Sequence, residues 1–120
     1  MPAIMAIFLL CINSTVLALV VSGSNVYAGG AFTVAGSATV NRVARWNGNN
    51  WSSLSGGVDD VVNALGVSGS IVYVGGDFRE VCGDPTCSSG NVRVNYIAKW
   101  NGGSWSALGN GVSHTRVYAQ

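Results

Sequence analysis

The chain contains the same passage twice, and that repetition constrains its fold more than any other feature. Ala18-Leu-Val-Val-Ser-Gly-Ser-Asn-Val-Tyr-Ala-Gly-Gly-Ala-Phe32 returns as Ala64-Leu-Gly-Val-Ser-Gly-Ser-Ile-Val-Tyr-Val-Gly-Gly-Asp-Phe78, with eleven of fifteen positions identical. A second block, Asn41-Arg-Val-Ala-Arg-Trp-Asn-Gly-Asn-Asn-Trp-Ser-Ser-Leu54, returns as Asn95-Tyr-Ile-Ala-Lys-Trp-Asn-Gly-Gly-Ser-Trp-Ser-Ala-Leu108. A period of about fifty residues implies stacked supersecondary units rather than one closed globule.

Each unit reads as four short strands. Val16 to Val21 is an aliphatic run bounded by Ser22-Gly23-Ser24. Its length and its turn-forming flank suit a buried strand better than a helix. Asn25-Val-Tyr-Ala starts a second strand that ends in Gly29-Gly30, where a positive φ or a close backbone approach is expected. A looser connection, Thr33 to Val40, leads to a third strand, Val43-Ala-Arg-Trp46. Asn47-Gly48 predicts a hairpin, since both residue types tolerate the left-handed backbone of primed turns. Trp51-Ser-Ser-Leu54 is the fourth strand. Its two large residues are three apart, which calls for a bulge or for burial on both faces.

The second unit follows suit over Val62–Ser68, Ile71–Gly75, Tyr96–Trp100 and Ser104–Leu108, but its connection between strands two and three is eight residues longer. Gly111-Val112 and Val117-Tyr-Ala119 restart the pattern a third time. The expected organisation is therefore an apolar leader over 1–15, a first unit over 16–58, a second over 59–112 with a long 79–94 loop, and a third begun over 113–120.

Composition supports an all-β, turn-rich fold. Hydrophobic residues make up 48% and charged residues only 9%, so Ser, Asn, Thr and the 17 glycines must supply polarity and turns. A net charge of +1, with six scattered basic residues, gives no field for phosphate and argues against nucleic-acid binding. Met1 to Ile12 resembles the apolar region of an export signal, although it lacks a basic start; contact with a membrane would require that leader to stay uncleaved. Cys82 and Cys87 bracket Gly-Asp-Pro-Thr, a turn sequence, and a small disulfide there leads over free thiols and over a metal site. Such a bridge implies an oxidising, extracellular or cell-surface setting.

The strands, the Gly-Gly pair after a Tyr and the Trp of strand four resemble the kelch repeat of β-propellers. The residues that carry the resemblance are Tyr27, Gly29, Gly30 and Trp51, then Tyr73, Gly75, Gly76 and Trp105. It covers essentially Val16 to Ala119. It departs from the usual kelch pattern at Arg45-Trp46-Asn47-Gly48 and Lys99-Trp100-Asn101-Gly102, where Tyr-Asp is commoner. The resemblance implies four-stranded antiparallel propeller blades: two complete, in a ring that needs about four to eight to close. Further blades in the same chain, or several copies of it, would complete such a ring; a fragment of a longer propeller is the leading expectation.

Chemistry-bearing residues are few. With His114 as the lone histidine, neither a Ser/His/Asp arrangement nor a copper constellation is available within the chain, so no cofactor, no metal and no catalysis are expected. Asp77, Arg79, Glu80 and Asp84 in the long loop are candidates for a binding rim, together with Thr33–Val40. Trp46, Trp51, Trp100 and Trp105 read first as packing between blades and second as platforms for sugar rings. Asn13-Ser-Thr15 and Asn50-Trp-Ser52 fit the glycosylation acceptor pattern. The expected function is a non-catalytic interaction module for a protein partner. A carbohydrate-binding propeller, or a piece of a propeller enzyme with its catalytic residues elsewhere, are the alternatives.

Overall fold

The computed structural model describes residues 12–84 and 86–108. The chain is all-β, with no helix among the described residues. Most of the leader, Cys11, His114 and the start of a third unit lie outside them.

Two four-stranded antiparallel sheets dominate, and neither closes into a ring. The first contains β1 (Val16–Ser22), β2 (Asn25–Gly30), β5 (Val43–Trp46) and β6 (Trp51–Ser53), in that spatial order. The second contains β7 (Val62–Ser68), β8 (Ile71–Gly76), β11 (Ile97–Trp100) and β12 (Trp105–Ala107). Between the second and third strand of each sheet the chain makes a small ribbon: β3 (Val34–Ala35) with β4 (Ala38–Thr39), and β9 (Glu80–Val81) with β10 (Val92–Arg93). The register shifts at one place in each sheet, between Val16 and Ala18 and between Val62 and Ala64.

The structural repeat starts earlier than the sequence repeat. Ile12 bridges Ala35 as Val58 bridges Val81. The Asn13 carboxamide oxygen accepts the N–H groups of Thr33 and Val34 at 3.0 and 3.1 Å. At the matching place the Asp59 carboxylate accepts those of Arg79 and Glu80 at 2.9 and 3.2 Å. One short acceptor side chain thus holds the start of each ribbon.

Turn chemistry repeats as closely. Asn41 and Arg42 are both left-handed, as are Asn95 and Tyr96. This conformation suits the asparagines and strains the larger residues. Phe32 and Phe78 accept the N–H groups of Arg42 and Tyr96 at 2.7 and 2.8 Å. At the Asn47-Gly48 hairpin, only the glycine is left-handed, with φ 102°. Asn47 closes the turn by donating its N–H to the Asn50 carbonyl at 3.2 Å, so Gly48 is the first central residue, the place where a type II′ turn takes glycine. The Asn47 side chain is a turn acceptor instead, taking the N–H groups of Asn49 and Asn50 at 2.9 Å.

The Gly-Gly pair answers to close approach, not to positive φ. A Cβ on Gly30 would collide with the Thr15 carbonyl, and one on Gly76 with the Val61 carbonyl, since β1 and β7 start against them. A Cβ on Gly29 would meet Val62 Cγ1 of the second sheet. The first glycine therefore admits the neighbouring sheet and the second admits its own.

Two apolar clusters result. One lies between the sheets: Tyr27 and Val43 from the first, with Leu54 just beyond β6, meet Val62, Val72, Val74, Ala98 and Trp100 from the second, with Phe78 just beyond β8. The other covers the opposite face of the first sheet with Ala28, Phe32, Ala35, Val40, Ala44 and Trp51. Trp51 and Leu54 therefore belong to different clusters, and burial on both faces accounts for their three-residue spacing. Each fully buried Phe or Leu stabilises the fold by about 1.5–3 kcal/mol.

Candidate functional site

Both ribbons leave their sheets at the same end, because each connects strand two to strand three. The expected rim segments, Thr33–Val40 and Arg79–Val94, are these ribbons. They differ in how their tips are built.

The second tip is a disulfide-closed loop. Cys82 and Cys87 are bonded, with their Cα atoms 4.6 Å apart. Cys82 is buried, and its backbone pairs with the connection between the sheets: the Gly56 N–H donates to its carbonyl at 3.1 Å, and its own N–H donates to the Gly57 carbonyl at 2.8 Å. Asp84 folds the loop from inside. Its carboxylate accepts the Ser88 N–H at 3.0 Å, the Ser89 hydroxyl at 2.8 Å and the Thr86 hydroxyl at 3.1 Å. The bond from the Ser88 backbone, then that from the Ser89 hydroxyl, lower its pKa to about 2 from the ordinary 3.8. Asn91 ties the other side, accepting the Gly83 N–H at 3.1 Å and donating to the Glu80 carboxylate at 3.2 Å and the Cys87 carbonyl at 3.1 Å.

The rim residues therefore divide. Asp84 and Glu80 hold the loop, Asp77 sits half-buried where β8 ends, and Arg79 is exposed with its guanidinium 5.9 Å from the centre of the Tyr96 ring. Thr86, Ser88, Ser89, Val92 and Arg93 face solvent. The sequence assigns Asn91, Asn13 and Asp59 no part in the ribbons; a polar side chain beside a turn is the only trace each leaves. Among the described residues no three or more His, Cys, Asp or Glu are grouped to hold a metal ion.

The first tip forms one wall of an open cleft of about 250 Å³, lined by Gly36, Ser37, Ala38, Trp46, Asn49, Asn50 and Trp51. Trp46 and Trp51 are cross-strand partners with ring centres 5.4 Å apart, tilted by 57°. Trp100 and Trp105 form the same pair at 5.2 Å, but there Trp100 is buried between the sheets. The two pairs are equivalent in sequence but bury opposite members, Trp51 in the first and Trp100 in the second, while Trp46 and Trp105 are half-buried. Side-chain amides stand beside the partly exposed indole at the first pair, where Asn49 and Asn50 occupy the places of Gly103 and Ser104. Of the glycosylation-type asparagines, Asn50 lines this cleft, while Asn13 has its amide nitrogen engaged with the Thr33 hydroxyl at 3.2 Å. Comparison of the chain with protein-family models, curated proteins and solved structures finds no match.

Proposed function

We propose that the chain is a non-catalytic segment of a kelch-like β-propeller that binds a protein partner outside the cell or at its surface, with the two ribbon tips as its contact rim. One observation carries this reading: the eight extra residues of the second unit are held in one shape by a disulfide, Asp84 and Asn91, while Thr86, Ser88 and Ser89 stay exposed on the loop's outer surface. A loop ordered in advance loses less conformational entropy on binding, which is the advantage a binding surface draws from such bracing. The disulfide is also compatible with an oxidising compartment. The test is deletion of Gly83–Gly90 combined with Cys82→Ser, followed by a pull-down against extracellular proteins. Partners of the intact chain should be lost while the circular dichroism of the sheets persists; partner retention at full affinity refutes the rim assignment.

A second reading, carbohydrate binding, is favoured by the cleft alone. A half-exposed Trp46 beside Trp51, Asn49 and Asn50 combines a ring for stacking with amides for hydroxyl groups. Glycan-array binding that disappears in Trp46→Ala, with folding intact, would promote this reading over the first.

A further inference from the structure

Beyond the register shift at its start, strand β1 alternates: Val20 packs against the cluster between the sheets, while Leu19 and Val21 stand on the other face and are 38% and 69% exposed. Leu17, at the register shift, is 50% exposed. In β7 the residues at the places of Leu19 and Val21 are Leu65 and Val67, and these pack onto the first sheet, against a cluster that includes Tyr27 and Val43. Leu65 Cδ1 lies 3.5 Å from where a Gly29 Cβ would stand. The internal contact is therefore a leucine and a valine of a first strand laid over a Tyr-x-Gly segment of a second strand. Both halves occur again in this chain with the same residue types: Leu19 and Val21 on one side, Tyr73 and Gly75 on the other.

We propose that the β1 face of one copy docks on the Tyr73–Gly75 face of the second sheet in another copy, repeating between chains the contact that the chain makes within itself. The contact is heterologous, since each copy offers one half and receives the other. Leu19 and Val21 leave apolar surface in water on one face of β1. Tyr73 and Ile97 of the receiving face are half-buried and Gly75 between them is buried, and the internal interface shows how such surfaces fit. If the propeller reading holds, a ring built from the two described four-stranded sheets of each copy closes at two to four copies, since propellers have about four to eight blades.

Sedimentation equilibrium of the purified chain across the micromolar range tests this. The expected result is a discrete assembly of two to four chains. Open-ended growth supports the docking contact and refutes ring closure, whereas a monomer throughout overturns the docking itself. Val21→Asp and Tyr73→Asp should each lose assembly alone, yet an equimolar mixture should give a one-to-one pair, because each retains the half the other lacks. If Tyr73→Asp lowers the β-sheet dichroism, Ile97→Lys on the same face replaces it. Assembly that survives Val21→Asp, or a mixture that stays monomeric, refutes the proposal; survival in Tyr73→Asp alone would indicate β1 pairing with β1.

Discussion

The indole N–H of Trp105 donates to the carbonyl of Leu54 at 2.8 Å, across fifty-one residues of sequence. It joins the last strand of the second sheet to the chain segment leaving the first. The same carbonyl accepts the Gly57 N–H at 3.0 Å, so it keeps a partner if the indole is removed. Trp105→Phe should therefore lower stability by about 1 kcal/mol rather than the larger cost of an orphaned buried acceptor. Urea denaturation followed by circular dichroism would measure it. A loss several times greater would mean that ring packing against Trp100 carries most of the joint.

Asn13 and Asp59 perform one task with different side chains, and only their shared oxygen position matters to it. Asp59→Asn should be close to neutral. Asp59→Ala leaves the N–H groups of Arg79 and Glu80 without their acceptor and should cost about 1–2 kcal/mol. Equal effects in thermal melts of the two variants would show that charge, not the acceptor, holds the ribbon.

The physical signals of this fold are spread unevenly through the sequence. All eight principal strands and the all-β class were visible, because aliphatic runs and Gly or Asn turns are local and were written twice. The ribbons β3–β4 and β9–β10 read in the sequence as connections, since strands of two residues have no periodicity to detect. Asn13 falls within the expected leader over 1–15, because nothing local distinguishes a turn acceptor from a solvated amide. Its role shows only when Thr33 and Val34 are brought beside it. The left-handed Arg42 and Tyr96 were invisible for the same reason, being residue types that rarely adopt that backbone.

Glycine positions separate close approach from mere tolerance. Gly30 has the Thr15 carbonyl where a Cβ would go, and backbone cannot step aside. Gly66, in the middle of β7, has nothing within 4 Å of that place. Gly30→Ala should destabilise by about 2 kcal/mol or more, from strain at a packed backbone contact. Gly66→Ala should be neutral or slightly stabilising, by up to about 1 kcal/mol, through lower entropy of the unfolded chain. Paired denaturation curves decide it, and similar losses for both would refute the distinction.

The pH dependence of the long loop follows from Asp84. Its carboxyl titrates at about 2 in the folded chain, below the ordinary 3.8, because the Ser88 N–H and the Ser89 hydroxyl favour its charged form. A lowered folded value means that the carboxylate supports the fold fully above the ordinary value and loses that support as pH falls from 3.8 towards 2. The amide resonance of Ser88 in the folded chain should shift with its midpoint at the folded value of about 2. Asp84→Asn should abolish the shift while keeping an oxygen in place, and an unchanged shift in that variant would assign the titration elsewhere.

The disulfide closes a short loop, so its global contribution is bounded: chain-entropy estimates for a ring this small give about 2 kcal/mol. Its local effect should be larger. Cys82 pairs through both backbone groups with Gly56 and Gly57, and the Asp84 backbone lies where a Gly56 Cβ would stand, so the cystine loop rests on the connection between the sheets. Reduction, or Cys82→Ser with Cys87→Ser, should speed hydrogen exchange at the amides of Gly56, Gly83 and Ser88. The amides of Ala28 and Ala44, in the middle of the first sheet, should keep their protection. Unchanged exchange at Gly56 would mean that the ribbon docks without its bridge. Loss of protection at Ala28 as well would mean that the loop holds the two sheets together rather than only the rim they present.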